Sequence, residues 1–178
     1  MSALKGVLAA VILLATVQAE AASDKPKPKP HPIPLLEFNQ KCVLQAFELN
    51  YGAYIRQLQD LHLACLTDKA YIDWRENLQR AKAPQLSIMD QLKSSKDRLV
   101  LSANVEAGQI LSEDVKAIGK NVGWKRYTAT ISTPVQIVFN GDVARALRGY
   151  IETDVIRIRQ NDRPSGYAIN AIRFKADK

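Results

Sequence analysis

The sequence predicts an α+β protein, with a helical hairpin in the N-terminal half followed by a small antiparallel β-rich C-terminal domain. Three observations carry this. Apolar residues between Leu44 and Ala81 recur at helical spacing. From Arg98 onward, β-branched residues alternate with polar ones. The dipeptide Asn140-Gly141, a strong short hairpin signal, follows the strand-like run Pro134–Phe139.

The chain opens with Lys5, an unbroken apolar run from Val7 to Val17, and two small-x-small patterns ending at Ala19 and Ala21. That order defines a cleavable secretory signal over residues 1–21. The run is too short for a membrane anchor, which needs about 20 apolar residues. No later stretch is apolar enough to span a bilayer, so no transmembrane segment is expected after cleavage. Residues 22–36 contain DKPKPKPHPIP. Proline removes a donor and fixes φ, so this Lys/Pro-rich stretch reads as an extended linker.

Leu44, Phe47, Tyr51, Tyr54, Leu58, Leu61 and Cys65 follow at steps of 3, 4, 3, 4, 3 and 4. This is a narrow apolar seam on a helix. After Cys65 the phase slips, and Tyr71, Trp74, Leu78 and Ala81 form a second seam. Thr67 and Asp68 are N-cap residues at the slip. The spacing predicts helices over about 37–66 and 69–82, the second ended by Pro84, and Ser87 opens a short third helix near 88–95. Region 37–95 is thus helical and region 97–178 β-rich. In the latter, strands are expected at Leu99–Ala103, Tyr127–Ile131, Pro134–Phe139, Val155–Arg159 and Tyr167–Phe174.

Cys42 and Cys65 are the only cysteines. Export into an oxidising compartment makes them a candidate disulfide. Their 23-residue separation is about 34 Å of rise on one helix, whereas a disulfide needs Cα atoms within roughly 7 Å. Either the helix breaks near Asn50–Gly52 and the cysteines bond, or it continues and they stay apart. The unbroken phase of the seam favours continuity.

Candidate chemistry is sparse. His62 and Cys65 share a helix face and are the one nucleophile–base candidate pair, though a packed histidine beside a structural cysteine accounts for them as well. Glu106, Glu113 and Asp114 cluster around a turn. No nucleotide, metalloprotease or hydrolase motif occurs. The reading is therefore non-enzymatic, with no catalytic residue, cofactor or metal. The chain carries 25 Lys+Arg against 18 Asp+Glu, and signal removal leaves the net charge at +7. Expected partners are a protein or an anionic envelope component, and export argues against nucleic acid. The last third is arginine-rich, and Arg157, Arg159 and Arg173 form the candidate basic binding face. The alternative for that face is a solvated surface with salt bridges.

The run from Leu99 to Val115, with Ala107-Gly108 and then Leu111-Ser112-Glu113-Asp114, resembles the start of a SAF (antifreeze-like) β-clip module. Ala146-Leu147-Arg148-Gly149, Ile156-Arg157-Ile158-Arg159 and Ser165-Gly166 resemble its end in FlgA-like flagellar P-ring assembly chaperones. The resemblance implies a β-clip C-terminal domain and a non-enzymatic assembly factor or chaperone of the cell envelope, periplasmic if bacterial. The competing expectation is a small secreted extracellular interaction protein binding through its helices, with a eukaryotic origin left open because the signal peptide fixes no kingdom.

Overall fold

The computed structural model describes residues 31–81, 87–94, 98–117, 125–140 and 142–176. The expected signal peptide, most of the Lys/Pro-rich linker and Pro84 lie outside these residues. Four helices precede five strands: α1 (Pro32–Phe47), α2 (Tyr54–Ala64), α3 (Asp68–Arg80), α4 (Ile88–Lys93), β1 (Leu101–Val105), β2 (Gln109–Ala117), β3 (Lys125–Phe139), β4 (Asp142–Arg157) and β5 (Tyr167–Ala176). The strands form one antiparallel sheet in the order β1-β3-β4-β5, with β2 following β1 along the same side of β3.

α1 starts within the segment read as linker. Pro32 and Pro34 occupy its first turn, where a missing N–H costs nothing because no intrahelical acceptor exists there. The expected single helix over 37–66 is two helices. Between them the backbone of Leu49–Tyr51 leaves the helix to meet the sheet. Leu101 donates to the Leu49 carbonyl at 2.7 Å and Tyr51 to the Leu99 carbonyl at 3.0 Å. α3 and α4 begin where their caps predict: Thr67 accepts from the Ala70 N–H and Ser87 from the Asp90 N–H.

β3 is one strand where two were expected. Pro134 lies inside it, and its carbonyl accepts from the Glu106 N–H in the β1–β2 turn. Its absent N–H falls on that same side, in the gap between β1 and β2, so no ladder bond is lost. Gly108 in the turn passes so close that an added Cβ would sit 2.7 Å from Thr133 Oγ1. Leu111–Asp114, part of the β-clip resemblance, lies within β2, and Ala146–Gly149 and Ile156–Arg157 belong to the single strand β4. The β-clip reading fails on these elements.

The helices lie on one face of the sheet and bury a continuous core with it. Leu35, Val43, Leu61 and Leu78 pack with Ile131, Ile151, Val155 and Ile169. Regions 37–95 and 97–178 thus share this core. A buried polar triad crosses it. Asn39 donates to Thr133 Oγ1 at 2.9 Å and accepts from Thr153 Oγ1 at 2.6 Å, and all three residues are fully buried.

Candidate functional site

The break between α1 and α2 turns the chain back on itself and brings the cysteines together. Cys42 and Cys65 form a disulfide with Cα atoms 5.7 Å apart, and both are buried. The sulfur that would have served as a nucleophile is therefore consumed. His62 is also engaged: its Nε2 lies 2.8 Å from Asp68 Oδ1, and its ring stacks on Tyr71 at 4.3 Å. Arg163, in the β4–β5 turn, donates to the carbonyls of His62 and Leu66. Burial lowers its pKa, partly offset by Asp68. This cluster is an architectural corner that fastens the turn to the α2–α3 junction.

The three candidate arginines do not come together. Arg157 is opposite Tyr167, on the helix-covered side shared with Val155 and Ile169. Arg173 is opposite Glu152, on the outer side of the sheet. There it grips Asp154 with two bonds of 2.7 Å, and Lys175 bonds Glu152 beside it. The Arg173 hydrogen bonds hold the Asp154 carboxyl below the usual range, against the opposing effect of burial. The pairing raises the Arg173 guanidinium in turn. Arg159 lies beyond the end of β4 and is exposed. At Arg173 the outer face is thus a salt-bridged ladder. Tyr127, near Arg157, donates to Glu113 at 2.6 Å. Burial raises its pKa, with a further push from Tyr167 and a pull downward from Arg157.

The described residues form an apolar groove of about 320 Å³. Phe47, Trp74, Leu78 and Ile88 of the helices form one wall. Leu101, Ile137 and Phe139 form the floor, and Leu147 and Phe174 the rim. Trp74 is fixed by an edge-on contact with Phe47 at 4.9 Å. Asn77 and Arg173 are the polar residues that line it. Leu147 is 44% and Phe174 36% exposed, so the rim is open to water. Sequence reasoning missed the groove because its walls come from seven elements, and Leu147 lies in a stretch without strand-like alternation. Such a surface suits an apolar side chain better than bond-making chemistry. Among the described residues, no group of three or more His, Cys, Asp or Glu could hold a metal, and no helix is long and apolar enough to cross a membrane.

No protein-family model matches the chain, and no curated protein matches it in sequence. Solved structures do match in shape. A periplasmic fragment of TraM superposes with a TM-score of 0.67 at 18% identity, over 84% of this chain and 100% of that one. The periplasmic domain of DotI gives a TM-score of 0.67 at 18% identity, over 85% and 100%. An IcmL-like type IV secretion system protein from Legionella pneumophila gives 0.56 at 10% identity, over 84% and 95%. These likenesses overturn the SAF and FlgA-like resemblance, because helices and sheet together match one known arrangement. The chain has the fold of the TraM and DotI periplasmic domains.

Proposed function

We propose that this protein is a periplasmic, non-enzymatic component of a type IV secretion assembly, acting by binding other proteins of that assembly. The observation that carries this reading is the full-length fold likeness to the periplasmic parts of TraM and DotI. The match to an IcmL-like type IV secretion protein points the same way. The buried Cys42–Cys65 disulfide suits an oxidising compartment outside the cytoplasm. The engaged His62 and the salt-bridged Arg173 support binding rather than catalysis. Neither the flagellar chaperone role nor the extracellular helix-binding role agrees with this fold.

The test is an in-frame deletion in the source organism, with type IV-dependent substrate transfer as the readout. The proposal expects transfer to fall and an exported copy to restore it. A copy lacking residues 1–21, retained in the cytoplasm, should not restore it. Unchanged transfer in the deletion strain would refute the proposal.

A further inference from the structure

We infer that the outer face of the sheet, around Tyr150 and Arg148, binds a strand of the cell-wall glycan, a chain of acetamido pyranose rings of which every second one carries a carboxylate through its lactyl group. The inference rests on the periplasmic location in the proposed function and not on the protein-binding role.

The backbone fixes the platform. β3 and β4 pair without a register shift from Ile137 opposite Leu147 to Thr128 opposite Ile156. β4 and β5 do the same from Gly149 opposite Ala176 to Asp154 opposite Ala171. Side chains therefore alternate strictly between the two faces here. Thr133, Val135, Ile137, Ile151 and Thr153 take the helix-covered side and are buried. Their neighbours Pro134, Gln136, Arg148, Tyr150 and Glu152 take the outer side.

On that outer side Tyr150 stands between Pro134 of β3 and Lys175 of β5, and it is 46% exposed. Around this pair of apolar groups the next outer positions are Ser132, Gln136, Arg148, Glu152 and Arg173. A protein interface is built on a wider apolar centre than one ring and one proline. A pyranose fits the patch better. Its C–H face packs on an aromatic ring, while its hydroxyl and acetamido groups bond the surrounding polar side chains.

Charge selects which glycan. Arg173 is held by both oxygens of Asp154, and Lys175 by Glu152. Arg148 is exposed and has no ion pair among the described residues. It lies two residues from Tyr150 on the same face, about 7 Å at the rise of a strand. Arginine meets a carboxylate with paired N–H groups, so a carboxylated ring beside the stacked one is its counterpart. The net charge of +7 draws a polyanion to the protein as a whole.

The probe is soluble glycan of alternating N-acetylglucosamine and N-acetylmuramic acid with free lactyl carboxylates, titrated into the isotopically labelled, signal-processed protein and followed by NMR. We expect saturable binding, with shifts centred on Gln136, Arg148 and Tyr150. Tyr150→Ala and Arg148→Gln, both at exposed positions, should leave the urea midpoint unchanged and each weaken binding by about threefold or more. Chitohexaose, which has the rings without the carboxylates, should bind more weakly than the wall glycan. Hexaglutamate, which has carboxylates without rings, should bind more weakly still. No binding, binding unchanged in either folded variant, or shifts confined to another surface would overturn the inference. Chitohexaose or hexaglutamate binding as tightly as the wall glycan would overturn it too, by leaving only ring stacking or only charge attraction. Absent glycan binding with transfer still lost in the deletion strain refutes this surface alone. Unchanged transfer in that strain refutes the secretion role.

Discussion

Asn39 carries more of the architecture than any charged residue. Its amide bridges Thr133 and Thr153 across the core, so α1 has one position over β3 and β4 in which all three groups are satisfied. Asn39→Ala leaves two buried hydroxyls without this partner and should cost on the order of 2–3 kcal/mol. Urea unfolding measures this, and a loss within error of zero would show that the triad does not fix the helix. Asp154 offers a pH test. Its pKa is depressed, chiefly by Arg173, so the pair contributes stability above the unfolded carboxylate pKa of about 3.9. That contribution disappears as pH falls through the lower folded value. Both side chains are more than a third exposed, so solvent screening limits the effect to below about 1 kcal/mol. Arg173→Leu should be less stable than wild type near neutral pH, with the gap closing in acid. A gap that widens in acid would contradict the pairing.

At the scale of elements, local signals were legible and non-local ones were not. The caps at Thr67 and Ser87, the Asn140 turn and the strand at Tyr167 all rest on short-range chemistry. The turn itself is docked: Asn140 Oδ1 accepts from the Val100 N–H at 2.7 Å. The α1–α2 break was hidden because the 3–4 spacing reports only which side faces the core, and both helices face the same core. What breaks the helix is the pairing of Asn50 with Val100, a bridge to a residue fifty positions away. The first half of β4 was hidden for a related reason. Asp142–Gly149 is rich in arginine and alanine and meets β3 at Asp142 and from Leu147 to Gly149, across a register shift. Of the candidate site residues, the two cysteines were legible as a candidate pair by count and compartment, while the unbroken phase of the seam pointed against the bond they form. The groove was not, since it exists only after the hairpin folds onto the sheet. The disulfide closes the α1–α2 loop, and the chain-entropy model assigns about 3 kcal/mol to a loop of this length. Cys42→Ser with Cys65→Ser should lower the unfolding free energy by about 2–4 kcal/mol. A double variant as stable as wild type would leave the disulfide without a stabilising role.

For the whole molecule, one continuous core joins four helices to one face of a five-stranded sheet. That arrangement matches the full extent of the TraM fragment and the DotI domain. It places an apolar groove between the helices and the sheet, while the outer face around Arg173 is closed by its own ion pairs. The role proposed for this fold is that of a component of an envelope assembly. Its most direct test is sedimentation of the tagged, full-length protein from gently lysed cells of the source organism. The account predicts migration with the type IV secretion apparatus, and a shift to light fractions when that apparatus is deleted. Light fractions in both strains would contradict it.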